Sequence, residues 1–180
     1  MRFSVGLTGL VLSLSAAPML QAQGSLASDL MKDIGEVETK MVGLAKAIPA
    51  DKYGWRPGQG VRSVGELFMH VSADNYLIPA AAGTPAPAVT AIKGDDYKTA
   101  MAFEKRQLDR DATIKELEAS FAFIKGALGA TGDMSKSVKL FGQDHTLQQV
   151  WILAATHLHE HLGQAIAYAR SNGVVPPWSR

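Results

Sequence analysis

Apolar positions recur at intervals of three and four along four stretches of the chain. In the first, Leu26, Leu30, Ile34, Val37, Met41, Leu44 and Ile48 make one stripe at helical period, closed by Pro49. The second opens on Ser63-Val64-Gly65-Glu66. This is a capping-box pattern: the Ser side chain accepts from the third amide and Glu66 reaches back to the cap's own amide. Leu67, Phe68, Val71 and Leu77 carry it to Ile78, and Pro79 is expected to bend or end it. The third starts near Asp111, with Asp111 or Thr113 as its cap, and aligns Ile114, Leu117, Phe121, Ile124 and Leu128. The fourth begins with a second capping box, Thr146-Leu147-Gln148-Gln149. It runs to about Ser171, where Asn172-Gly173 supplies a stop.

The connecting segments differ in character. Residues 51–60 are turn-rich and hold Tyr53 and Trp55, a large aromatic expected to plug one end of a core. Residues 80–96 are rich in Ala, Gly and Pro and read as an extended crossover, followed by a short helix within 97–108. Residues 137–141 read as a short loop or strand-like stretch. The tail after Gly173 carries two adjacent prolines and is not expected to be helical. Four stripes in one domain predict an all-α four-helix bundle. A crossover of about 30 residues between helices two and three can run the length of such a bundle, so those two helices are free to lie parallel.

Ahead of the first stripe, residues 1–22 read as an export signal. Arg2 precedes a short apolar run from Val5 to Leu14, and small residues follow to a cleavage position after Ala22 or, alternatively, Ala17. The run is too short to cross a bilayer, which takes about 20 residues. With no Cys behind it, a lipid anchor is excluded. The expectation is an exported domain, residues 23–180, periplasmic or secreted, with no membrane anchor after cleavage.

Charge and composition then narrow the chemistry. The 18 basic and 17 acidic side chains nearly cancel, and no basic run exceeds Lys105-Arg106. A phosphate-neutralising nucleic-acid surface is therefore not expected. The absence of cysteine excludes disulfides, thiolate metal sites and a cysteine nucleophile. The charged stretches Glu104-Lys105-Arg106 and Asp109-Arg110-Asp111 read as solvated surface.

The five histidines (His70, His145, His157, His159 and His161) all lie in or beside the second and fourth segments. On a helix, His157 and His161 stand roughly 40° apart and His159 about 200° from His157. Val150, Leu153, Ala154, Gln164 and Tyr168 flank the face of the pair, so it points toward a mostly apolar interior. Two imidazoles one turn apart can share one cation, and burying them unpaired costs roughly 1–3 kcal/mol each. The bland alternative is that they hydrogen-bond to Gln, Tyr or backbone, or face solvent; spacing alone does not decide. The zinc-protease order His-Glu-x-x-His is absent, since the residues run His157-Leu158-His159-Glu160-His161. On the second helix, Glu66, His70, Asp74 and Leu77 share a face, with Glu66 assigned to the capping box.

Trp55-Arg56-Pro57, Ser63-Val64-Gly65-Glu66-Leu67-Phe68-Met69-His70 and Asn75 resemble the DinB-like family of small metal-binding bundles. So do His157 through Gln164, Ala167-Tyr168-Ala169-Arg170 and the ending Asn172-Gly173-Val174-Val175-Pro176-Pro177. The resemblance covers essentially the whole chain after the leader. It implies an up-down-down-up four-helix bundle and a three-histidine site for a divalent metal, zinc or nickel. Carried over, the ligands are His70, His157 and His161, with Gln164 and Asp74 as candidates to orient a ligand or water; His159 matches no ligand position. Many relatives carry His-His-Arg-Gly-Gln where this chain has Glu160-His161-Leu162-Gly163-Gln164, so a relative's substrate contacts do not transfer. The resemblance also implies homodimers in many members. The expected function is a divalent-metal-dependent enzyme, hydrolase- or transferase-like, on an unknown small molecule. The alternative is a non-enzymatic metal-binding or stress-related bundle.

Overall fold

Each of the four stripes folds as a long helix. The computed structural model describes residues 17–179, with side chains from Leu26 onward. The expected export segment therefore lies outside the described residues, except for 17–22. The elements are α1 (Ala17–Ala47), α2 (Val64–Ala81), a short α3 (Tyr97–Glu104), α4 (Arg110–Gly129), strands β1 (Ser137–Leu140) and β2 (Gln143–Thr146), and α5 (Leu147–Ser171). The chain is an all-α bundle of α1, α2, α4 and α5, with α3 and one hairpin added between them. No helix among the described residues is long and apolar enough to cross a membrane.

Side-chain pairings fix the directions of the four long helices. Glu38 pairs with Lys125 and Lys46 with Glu118, so α1 and α4 run antiparallel. Asn75 bonds Ser120 and Tyr76 bonds Glu116, while the preceding turns, at Met69 and Thr113, line one pocket; α2 and α4 are parallel. His70 meets His161, and Tyr168 reaches back to Arg62, so α2 and α5 are antiparallel. The order is up, down, down, up, as the long crossover permits.

The core joins the four apolar faces. Ile34, Met41, Leu44, Leu67, Phe68, Leu117, Phe121, Ile124 and Trp151 are all fully buried. The aromatic plug divides between two residues. Tyr53 is buried and donates to the Ala45 carbonyl at 2.6 Å, and half-buried Trp55 packs edge-on against Tyr168 with ring centroids 5.4 Å apart. Trp151 packs in the core and donates from Nε1 to Thr131 Oγ1 at 3.0 Å. The tail's last residues form one 3-10 turn, Pro177–Ser179, seated where Pro177 meets Gly43 of α1.

Four expectations shift, and three of them have identifiable physical grounds. α1 begins well before Leu26. α2 continues through Pro79 to Ala81, giving up the one bond an N–H at that position would have made to the Asn75 carbonyl. The cap of α4 is Asp109, which accepts from the Ala112 amide at 2.8 Å; Asp111 instead sits in the first turn, where its charge suits the helix dipole. The stretch after α4 is a β-hairpin, with Leu140 opposite Gln143. Its two-residue turn, Phe141-Gly142, holds both φ angles positive, 50° and 80°. That is the handedness hairpins require, although Phe is a poor residue to supply it. The crossover is held close by Gly94: a Cβ there would lie 2.4 Å from the backbone of Ala80, so only glycine fits. That contact carries α3 back onto α2.

Candidate metal centre

The two capping boxes set where the helices that carry the histidines begin. Ser63 and Glu66 close the start of α2, and Thr146 and Gln149 close the start of α5. From these starts α2 delivers His70, and α5 delivers His157 and His161, to one point between the helices. The Nε2 atoms of His70 and His161 lie 3.0 Å apart, as do those of His161 and His157. The three form the one group of potential metal-ligating side chains found among the described residues. His70 and His161 are buried and His157 partly so.

The outward nitrogens are held by acceptors. His70 Nδ1 lies 3.1 Å from Glu104 Oε2. His161 Nδ1 lies 3.0 Å from Gln164 Oε1. The Gln164 orientation follows from its neighbours. The Arg62 carbonyl can only accept, so Tyr168 donates its hydroxyl proton there, at 3.1 Å. Its oxygen is then left to accept from Gln164 Nε2 at 2.9 Å, which turns Gln164 Oε1 toward His161. Both Nδ1 atoms must therefore carry the ring proton, and in the neutral rings both Nε2 atoms present lone pairs. Two lone pairs thus face each other at a distance proper to a hydrogen bond, with no proton between them. A positive charge between them reconciles them, and since burial and the neighbouring imidazoles oppose a second proton on His161, a metal ion meets that need.

Asp74, one turn after His70, completes the inner surface. Its Oδ2 is 3.1 Å from His157 Nε2 and 3.4 Å from His70 Nε2. Glu104 is tied on its other side to Arg62, in a two-pronged ion pair whose second contact measures 3.2 Å. Burial alone would raise the Glu104 pKa, but hydrogen bonds from His70 and Arg62 and their charges outweigh it and hold the carboxyl down at about 2. His161 is pushed down to about 4, first by burial and then by its two neighbouring imidazoles, against the support of Gln164. A cavity of about 350 Å³ opens beside His70, His157 and Asp74.

The donor set suits a divalent ion. Two imidazoles with facing lone pairs and a third whose Nε2 converges on them are borderline-soft ligands of the kind zinc and nickel take when neutral. In a four-coordinate site with N–metal bonds of about 2.1 Å, neighbouring nitrogens stand roughly 3.4 Å apart. The 3.0 Å spacings lie within a small side-chain adjustment of that value.

The remaining sequence candidates fall elsewhere. His159 faces away and meets Asp33 of α1 at 3.0 Å. His145 sits half-buried on β2. Glu66 serves its cap and also pairs with Arg56 at 3.1 Å. Leu153, read as flanking an interior face, is 40% exposed and lines the cavity mouth. Two participants escaped the sequence reading: Glu104, assigned there to solvated surface, and Arg62. A signal for Glu104 exists in retrospect. It follows buried Phe103 and stands one turn after buried Ala100, so the stripe of α3 carries it to the core's edge.

The family model described as the DinB superfamily matches residues 34–165. The chain belongs to the DinB superfamily. A solved structure of a DinB-like protein, YjoA of Bacillus subtilis, superposes with a TM-score of 0.60 at 17% sequence identity. The match covers 82% of this chain and 93% of that one. At that identity the likeness speaks for the fold alone. No curated protein matches the chain. The superfamily is often metal-binding, and in this DinB member the candidate ligands come from both helices that flank the cavity.

Proposed function

We propose that this DinB-superfamily protein binds a divalent ion, zinc or nickel, through the Nε2 atoms of His70, His157 and His161. We further propose that the loaded site acts on a small molecule in a hydrolase- or transferase-like reaction. The observation that carries the reading is the pair of lone pairs 3.0 Å apart with a third imidazole converging on them. A proton can bridge two nitrogens, whereas an ion can be shared by three. A divalent ion at such a site supplies Lewis acidity at whatever coordination position stays open.

The protein's own groups do the rest. Glu104 and Gln164 hold the tautomers and orientations of His70 and His161, the usual work of groups behind a ligand. Asp74 places a carboxylate oxygen beside the site, where it can accept or hold a proton at Oδ2. Burial of His70 and His161 leaves the cavity beside His157 as the approach to the inner nitrogens. The export expected of residues 1–22 favours hydrolysis over chemistry that uses a low-molecular-weight thiol, since such thiols belong chiefly to reducing compartments.

A second reading draws on Asp74 itself. Its Oδ2 lies close enough to two of the histidines to close the ion's last position, which would make the protein a metal holder and not an enzyme. Calorimetric titration of tag-free protein with zinc and with nickel tests the shared premise: stoichiometric binding is expected, lost in His161→Ala. Equal binding by both proteins removes the metal reading. Azide added to the cobalt-loaded protein separates the two versions, because a shift in the cobalt absorption bands requires a position open to exchange.

A further inference from the structure

The cavity beside the histidines has walls unlike its floor. His70, His157 and Asp74 form the floor, while Ile78, Tyr97, Phe141 and Leu153 rise around it. These wall residues come from four separate elements: the end of α2, the start of α3, the hairpin turn and α5. Three of them are large apolar side chains left substantially in water, with Tyr97 45%, Phe141 64% and Leu153 40% exposed. Single exposed apolar residues need no explanation, but several converging on the mouth of one cavity do. The Tyr97 and Phe141 rings meet edge to face with centroids 6.2 Å apart. Phe141 holds this place with a φ of 50°, a backbone conformation that bulky residues avoid and that Gly or Asn would take readily. Nothing in the hairpin's own pairing requires an aromatic ring there.

We propose that this cavity is the apolar subsite of the centre, and that it selects substrates carrying a flat, uncharged aromatic group next to the atom on which the centre acts. The inference rests on the metal-centre reading above. A volume of about 350 Å³ falls in the range of small-molecule sites. The walls offer no charge, and the one carboxylate on the floor, Asp74, disfavours an anionic group beside the reacting atom. The exposed Phe141 ring and the Tyr97 ring both line the cavity, and a flat aromatic guest can pack against either, face on or edge on. Phe141 and Leu153 are thus specificity residues and do not touch the ion.

Hydroxamates test this without knowledge of the reaction, since their head group binds an exchangeable metal position and their tail can be varied. Acetohydroxamate and benzohydroxamate are titrated calorimetrically into zinc-loaded protein, with zinc occupancy measured separately. Benzohydroxamate is expected to bind on the order of 30-fold more tightly, from the apolar area its ring buries. In Phe141→Gly and Leu153→Gln that advantage is expected to shrink to about threefold or less, while acetohydroxamate affinity holds. Phe141→Gly relieves the strained turn, so loss of folding does not confound it. In parallel, 2-naphthol is added to metal-free protein and the Ile78 and Leu153 methyl signals are followed. Saturable shifts there, weakened in Phe141→Gly, support the subsite whatever the metal result. Acetohydroxamate binding with no gain from the ring, or naphthol that leaves those methyls unmoved, overturns it. Absence of zinc uptake alongside saturable naphthol shifts removes the metal centre and leaves the subsite standing.

Discussion

The seam between α1 and α4 and the seam between α2 and α5 are built on opposite terms. Along the first, Ile34, Val37, Met41 and Leu44 share one core with Leu117, Phe121, Ile124 and Leu128, and ion pairs such as Lys125–Glu38 close it at the surface. Among the described residues, α1 contributes no buried polar side chain at all. Along the second, His70 and His161 are buried, and Asp74, His157, Gln164 and Tyr168 are bonded into the same region. The dry seam needs only apolar bulk at the right period, because burial is non-directional. The wet seam needs every donor to meet an acceptor, because an unmet buried group costs more than a bond gains. The first holds the bundle shut, and the second determines what it can bind.

Substitutions on the two sides are expected to separate stability from binding. Phe121→Ala in the dry seam is expected to cost about 3–5 kcal/mol of unfolding free energy in urea. It should leave zinc affinity of the folded protein within about twofold, as distant sites are nearly independent. A large loss of affinity in this variant would mean that the seams are coupled and the contrast is false. Glu104→Gln on the wet side is expected to do the reverse. It keeps an acceptor for His70 but breaks the ion pair with Arg62, and a change in such a supporting group typically weakens metal binding about 10- to 100-fold. Unchanged zinc affinity with a lowered melting temperature would reduce Glu104 to a structural strut.

The dry seam could be read from the chain and the wet one only partly. Stripe residues such as Leu117, Phe121 and Ile124 declare their role by period alone, and both capping boxes formed because their partners lie three residues away. His157 and His161 are a local pattern of the same kind, and resemblance added His70. Glu104 was not legible in this way. It stands 34 residues from the ring it supports, on a short helix whose position depends on Gly94 pressing the crossover against Ala80. Its neighbours Lys105 and Arg106 are exposed, and they gave the whole triplet the look of surface. Arg62 was hidden for a similar reason: its carbonyl and its guanidinium act on different elements, and neither contact follows a period. The sequence marks the hairpin only as a short loop or strand-like stretch, since Phe-Gly lacks the Asn-Gly signature of its turn.

Acid should reveal the same division with the smallest of these effects. In the metal-free protein the folded His161 titrates near 4, against 6.5 for a free imidazole. Below 6.5 the unfolded chain therefore takes up a proton that the folded one refuses, so stability falls with pH. The contribution is fully present above 6.5 and is lost as pH drops through about 4, at a steepest slope of about 1 kcal/mol per pH unit. Glu104, held near 2 against 4.5, has the same sign and extends the decline between those values. Urea unfolding from pH 7 to pH 4 should show this acid limb in the wild type. His161→Gln should flatten it, while Phe121→Ala should lower the whole curve and keep the slope. If the Phe121 variant lost the limb instead, the proton uptake would belong to general loosening of the core and not to one buried imidazole.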